Sequence, residues 1–240
     1  MARLVHGFKI VKHRYYIPII IVGLLAFLAY IYITTSGSQK LAIDVAGALG
    51  ISFFRLVLAY FVSLIVALVI AIPLSQSRTG DFLIPIFDLL QNLPSFALIP
   101  LFVYFLGYST SMVIIFAASS ILWPILFYVL HALKTARTDY NDAATVFGAK
   151  GWKRDIHYLL PLSFSAAVTG SIVGMAIGWE SVIGVEIIGL TNGVGVFLNS
   201  ALETSKSAFT FGLCALLLLV FALNRLVWMP LLKKTQTYED

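Results

Sequence analysis

The chain has 240 residues, of which 60% are hydrophobic and 11% are charged, against roughly 45–50% and about 25% in ordinary soluble domains. Its sixteen Lys and Arg exceed its eleven Asp and Glu, which gives a formal net charge of +5. Because these charges flank long apolar segments, they indicate membrane topology and not binding to nucleic acid. The composition excludes a sizeable water-soluble domain and predicts a protein embedded in the lipid bilayer.

Apolar segments long enough to cross a bilayer core, which takes about 20 residues each, recur along the chain. The first of them, 15–35, follows a basic tail at 1–14. It is too long for the apolar part of a cleaved signal peptide, so it predicts a retained anchor. The sequence thus predicts an all-α polytopic membrane protein with a membrane domain at 15–233, a tail at 234–240, and six spans at about 15–35, 51–75, 82–106, 109–133, 162–188 and 208–232.

The third segment, 82–106, contains three prolines and several polar residues, so it suits either a span or a re-entrant loop. The distribution of basic residues distinguishes the two. With six spans and the N-terminus inside, twelve Lys and Arg lie on the inner side and only Lys40 and Lys206 lie outside. Without this span, six lie inside and eight outside. The positive-inside rule therefore favours six spans with both termini in the cytoplasm.

A long polar loop, 134–161, follows the fourth span on the predicted inner side, whereas the glycine-rich stretch 189–207 predicts an outer turn or a short re-entrant piece. Thr138 or Asp139 suits a helix N-cap, and Gly148 suits a helix C-terminus. The loop therefore predicts two short helices with a bend between them.

The residues of this loop resemble a known family. Permease subunits of binding-protein-dependent ABC importers carry a cytoplasmic signature, E-A-A-x3-G-x9-I-x-L-P. This chain matches its spacing throughout, with Asp for Glu and Tyr for Ile, at Asp142-Ala143-Ala144, Gly148, Tyr158 and Leu160-Pro161. The resemblance implies the type I ABC importer permease fold and makes the loop a coupling helix through which a separate ATPase drives the membrane domain.

The same resemblance implies the partners and the location. They are a second permease subunit in a homodimer, two ABC ATPase subunits, and an extracellular or periplasmic solute-binding protein, assembled in the plasma or inner membrane. Solute would cross by alternating access. No G-x-x-x-x-G-K-[ST] motif occurs in the chain, so the resemblance assigns ATP and Mg²⁺ to the partner ATPase, and we expect this chain to bind no cofactor itself.

Further segments are similar to the nitrate, sulfonate and taurine branch of this family. This branch implies a small anionic solute such as nitrate, bicarbonate or a sulfonate, with a vitamin or pyrimidine precursor as the alternative. The segments are Arg55, Ile72-Pro73-Leu74, Gln91-Asn92-Leu93-Pro94, Ile99-Pro100-Leu101, Gly178-Trp179-Glu180 and Val185-Glu186-Ile187.

Polar side chains within predicted spans are the candidates for a pathway or gate, because ionisable groups are costly in the bilayer. Gln91 and Asn92 suit either a translocation path or hydrogen bonding between helices. Glu180 and Glu186 suit either a pathway or a pair of structural carboxylates. Arg55 suits either a functional role or an interfacial anchor.

Small residues in the fifth span indicate close helix packing. Gly170, Gly174 and Gly178 follow one another at intervals of four, which predicts contact with a neighbouring helix in the same subunit or in a dimer.

Two other classes of protein compete with the importer permease. A stand-alone secondary transporter or channel is typically marked by an internal repeat, and the sequence shows none. An intramembrane enzyme needs clustered nucleophiles or metal ligands, whereas the four histidines are scattered without ligand spacing. We therefore expect no catalytic residue and no metal site in this chain, which is predicted not to be an enzyme.

Overall fold

The computed structural model describes residues 38–146 and 159–236, together with the isolated helical positions 23, 25, 27 and 30. Within these ranges every regular element is helical. We number the α-helices α1 Ser38–Gln76, α2 Arg78–Gln91, α3 Ile99–Leu106, α4 Thr110–Val146, α5 Leu160–Gly189, α6 Val194–Thr204, α7 Lys206–Leu223 and α8 Met229–Gln236, with a 3-10 turn at Ser95–Leu98 and a π-helical segment at Asn224–Trp228.

Four segments of the described ranges are long and apolar enough to cross a membrane: Gln39–Ser75, Thr110–Thr135, Ser163–Gly189 and Lys206–Thr235. They correspond to the second, fourth, fifth and sixth predicted spans. The predicted span 15–35 lies largely outside the described residues. Six spans remain compatible with the structure. The third predicted span is not one straight helix but a bent pair of helical segments.

That third span is sharply bent. Phe82–Gln91 and Ser95–Leu106 are apolar enough to cross together, but they meet at 88°. Asn92 follows the last residue of α2, and Pro94 cannot donate the amide hydrogen that a continuing helix needs. Pro100 then occupies the first turn of α3, where proline is tolerated. The segment is therefore either a broken span or a re-entrant loop.

The predicted start of the first loop helix requires a correction, whereas the predicted bend after it lies outside the described residues. Thr138 and Asp139 do not begin a new helix, because α4 continues through both to Val146. The stretch 131–146 contains neither glycine nor proline and includes four alanines, so no residue interrupts the helix. Gly148 lies outside the described residues.

The core is built from α1, α4 and α5, which make the most extensive interhelical contacts. Leu56, Phe116, Ile121 and Ile125 are fully or almost fully buried between these helices. Large apolar side chains such as Val69 on α1 remain exposed, as expected for helices that contact lipid or other membrane subunits.

The glycine series of α5 lies against α4. A Cβ added at Gly170 would lie 2.8 Å from the Cα atom of Ile125, and one added at Gly174 would lie 3.0 Å from Ile121 Cγ2. At Gly178 it would lie 2.7 Å from side chains of both Ile121 and Leu56. The series therefore permits close approach of α5 to α4 and α1 within one subunit.

Candidate functional site

A buried ion pair joins α1 to α5. Arg55 Nη1 donates to Glu186 Oε1 at 2.6 Å, and the two residues are 2% and 0% exposed. Arg55 lies in the middle of α1, and Glu186 lies in the last turn of α5. A fully enclosed pair of opposite charges needs further hydrogen bonds to offset the loss of hydration.

The turn after α5 supplies part of these hydrogen bonds. Arg55 Nη1 donates to the backbone carbonyl of Asn192 at 3.0 Å, and Nη2 donates to its side-chain Oδ1 at 2.5 Å. Nη2 also lies 3.2 Å from Thr110 Oγ1 at the start of α4. The guanidinium thus connects three separate segments of the chain.

The carboxylate of Glu186 accepts the remaining hydrogen bonds. The Ser52 hydroxyl lies 2.8 Å from both of its oxygens and donates to them, and the Gly195 amide donates to Oε2 at 2.9 Å. The Ser52 oxygen in turn accepts a hydrogen bond from the Val194 amide at 2.8 Å. We call Ser52, Arg55, Thr110, Glu186 and Asn192 the polar clasp.

Glycine is required within this turn. Gly193 has a φ of 117°, which disfavours any side chain, and a Cβ there would collide with the carboxylate of Glu186. This residue lets the chain reverse over the ion pair and begin α6 with its first amides directed at the polar clasp.

An open pocket of about 400 Å³ adjoins the polar clasp. It lies beside α1, the start of α4 and the turn, and its lining includes Gly47, Gly50, Phe54, Thr110 and Asn192. Arg55 also lines it, and its Nε atom is the one buried side-chain nitrogen or oxygen in the described ranges that has no hydrogen-bond partner.

The two predicted carboxylates of α5 occupy different environments. Glu186 is enclosed by the polar clasp, so in this conformation no solute reaches it. Glu180 is exposed on the surface of α5. Within the part of the chain that the structure describes, Glu180 has neither a hydrogen bond nor an ion pair. The two residues are therefore not partners of each other.

The bent third span approaches the side of α5 that carries Glu180. Phe96, in its 3-10 turn, packs so closely on Gly184 that a Cβ there would lie 2.7 Å from the ring atom Cζ. Gly184 is four residues from Glu180 and therefore on the same side of the helix. Gln91 Nε2 and Asn92 Nδ2 donate to the side chain and backbone of Asp88 at 2.5 and 2.6 Å.

Five of the six predicted coupling residues lie on either side of the stretch 147–158, which is outside the described residues. Asp142, Ala143 and Ala144 lie in the last turns of α4, where the structure describes the backbone. Leu160 and Pro161 form the first turn of α5 and are exposed. Gly148 falls in the stretch outside the described residues.

No metal centre is found among the described residues, which contain no group of three His, Cys, Asp or Glu side chains placed to hold an ion. The free cysteine, Cys214, is buried in α7.

Sequence reasoning considered Arg55 and Glu186 separately and did not predict the polar clasp. Ser52 and Asn192 carried no signal of their own. The one available signal was the presence of opposite charges near the same predicted end of two spans, since such charges pair when they are buried.

Comparison with known proteins identifies the family. Residues 63–229 match the model of the binding-protein-dependent transport system inner membrane component, which is more than half of the chain. The chain therefore belongs to this family of membrane permeases. This confirms the family predicted from the loop signature, and with it the all-helical permease fold.

Individual relatives have specific transport names. The chain is 26% identical over 178 residues to the taurine transport system permease protein TauC of Escherichia coli, covering 73% of this chain and 65% of the relative. It is 24% identical over 201 residues to the putative aliphatic sulfonates transport permease protein SsuC of Bacillus subtilis, covering 82% and 73%. The nitrate import permease protein NrtB of Synechocystis is 23% identical over 162 residues, covering 65% and 59%.

Proposed function

We propose that this chain is the membrane-spanning subunit of an ABC importer. Two copies form the translocation pathway, two separate ATPase subunits bind the cytoplasmic loops, and an external binding protein delivers the solute. The observation that supports this best is the family match, because it spans 63–229 and so includes the whole loop signature. ATP and Mg²⁺ would be held by the ATPase partners and not by this chain.

The solute is proposed from the relatives. Those compared above are named for taurine, aliphatic sulfonates and nitrate. They support a small solute that carries an acidic or oxyanion group, in preference to a vitamin or pyrimidine precursor.

The cytoplasmic end of α4 supports a mechanism of coupling. Because α4 is one helix from Thr110 to Val146, a displacement at Asp142 is transmitted along its axis to the core contacts with α5. The small side chains of Ala143 and Ala144 permit close approach of a partner groove. Leu160-Pro161 would transmit the same displacement to the start of α5. ATP-driven closure of the ATPases would thereby switch the bundle between inward-open and outward-open states.

The pathway is proposed to run along the exposed face of α5 that carries Glu180, beside the bent third span with Gln91 and Asn92. Glu186 has a different role in this proposal: its enclosed ion pair with Arg55 anchors the outer turn to α1 and α4.

The coupling assignment is tested by replacing Gly148. We expect Gly148→Leu to abolish both co-purification with the ATPase subunits and ATP-driven uptake, because a bulky residue at the end of the coupling helix prevents its docking. Gly47→Leu is the matched control, since a Cβ at Gly47 meets no atom within 4 Å in the described structure. Normal assembly and uptake in the Gly148 variant would contradict the proposal.

A further inference from the structure

The exposed face of α5 carries a single charge. Val173, Ala176, Glu180 and Ile187 are exposed, and their spacing places them on one side of the helix. The glycine series at 170, 174 and 178 lies on a different side, against α4. The residues next to Glu180 in the sequence point into the protein: Trp179 stacks on Phe53, and Ser181 is buried.

The depth of Glu180 makes contact with lipid unfavourable. It precedes Gly189, the last residue of α5, by nine positions, which places it about 14 Å from that end at the usual helical rise. An ionised carboxylate at this depth is costly against hydrocarbon, and such residues face a protein interior or a water-filled cavity. The exposed face of α5 is therefore not a lipid-facing surface.

The described part of the chain offers this carboxylate no available counter-charge at its own depth in the membrane. Among the described residues, Arg55 is the basic group nearest in depth, and it is committed to Glu186. A second copy of the chain brings the same set of charges. Among the other Lys and Arg residues of the described ranges, Lys40 and Lys206 lie near the outer helix ends. The rest lie toward the predicted inner side, at Arg78, Lys134, Arg137, Arg225, Lys233 and Lys234.

We propose that Glu180 faces the water-filled pathway and supplies the counter-charge for a cationic group on the solute. The inference rests on the proposed importer function and narrows its substrate class. A bare oxyanion would be repelled by the two Glu180 carboxylates of a homodimer, whereas an ammonium group would be attracted. The solute is accordingly a small zwitterion that carries an ammonium group as well as its acidic group.

The electrostatic potential next to Glu180 can be measured without knowing the solute. Ala176→Cys places a thiol one helical turn from Glu180, and Cys214→Ala removes the native thiol. The assembled importer is treated with trimethylammonium-ethyl methanethiosulfonate, which is cationic, and with sulfonatoethyl methanethiosulfonate, which is anionic. We expect the ratio of cationic to anionic reaction rates to fall by roughly tenfold or more when Glu180→Gln is added.

Glu203→Gln is the matched control, because Glu203 is also exposed but lies on α6. It should leave the rate ratio unchanged. If the thiol at 176 reacts with neither reagent, both at rest and during ATP turnover, the face does not line a pathway and the proposal is overturned. It is also overturned if the ratio is the same with Glu180 and with Gln at this position.

A separate experiment tests the proposed substrate class. The binding protein that stimulates ATP hydrolysis by the assembled importer is isolated, and the ligand that it binds is identified by mass spectrometry. A ligand that carries both an amine and an acidic group supports the proposal, and a ligand that lacks either group overturns it. Failure of the importer function itself gives a different result, because then no ATPase or binding protein couples to the chain at all.

Discussion

Arg55 and Glu186 illustrate how burial changes the role of a charged residue. Each alone at membrane depth indicates a functional group, but together they form an enclosed ion pair whose oxygens and all but one of whose nitrogens have partners. The importance of the pair lies in what it connects: the middle of α1, the start of α4, the end of α5 and the turn at Asn192.

A double-mutant cycle tests whether Arg55 and Glu186 stabilise the protein as a pair. Glu186→Gln should destabilise the folded protein by about 3–5 kcal/mol, because it leaves the Arg55 guanidinium buried without a counter-charge. Arg55→Met with Glu186→Met should be less destabilising than the sum of the two single Met variants, since no unpaired charge remains. Thermal unfolding in detergent compares the wild-type protein, the Glu186→Gln variant, the two single Met variants and the double Met variant. If the losses of stability in the two single Met variants add up to the loss in the double variant, the two residues act independently.

The contact between α4 and α5 is the feature that matters at the element scale. It depends on glycines in α5, because each one leaves empty the space that a side chain would fill, and the partner helix packs into that space. The periodicity of these glycines predicted a packing surface. Only the tertiary structure shows that the partner is α4 of the same subunit, joined at Gly178 by Leu56 of α1.

Enlarging the central glycine should separate these helices. We expect Gly174→Leu to destabilise the protein by about 1–3 kcal/mol through overpacking against Ile121. Gly50→Leu adds the same side chain in α1, where the structure shows no atom within 4 Å of the new Cβ, and should cause no such loss. Unfolding temperatures of the two variants in the same detergent provide the comparison. Equal stability of the two variants would exclude close packing at Gly174.

The whole molecule is organised by the distribution of charge across the membrane. Basic residues concentrate on the side to which the predicted topology assigns both termini. The described helices are compatible with that arrangement: α1 and α7 begin near Lys40 and Lys206, and α8 ends just after Lys233 and Lys234. For the bent third span, the distribution of basic residues favours a complete crossing of the membrane. The 88° bend is compatible with either a crossing or a re-entrant loop.

Orientation is tested by labelling cysteines in intact cells with a membrane-impermeant thiol reagent, in a Cys214→Ala background. We expect Lys40→Cys and Lys206→Cys to react from outside, whereas Lys234→Cys should react only after permeabilisation. The positive-inside rule is the physical basis of this expectation. Labelling of position 234 in intact cells would reverse the proposed topology and remove the coupling loop from the cytoplasm.

The amino-acid sequence by itself determined the membrane class, the positions of most spans and the family. These properties depend on local composition and on motif spacing, which are present in the chain whatever its fold. Its local signals were insufficient at 138–139, where a favourable cap is overruled by an uninterrupted helix. The tertiary structure alone decided that Glu186 is enclosed and Glu180 exposed, because burial depends on which distant residues the packing of α1, α4 and α5 brings beside each carboxylate.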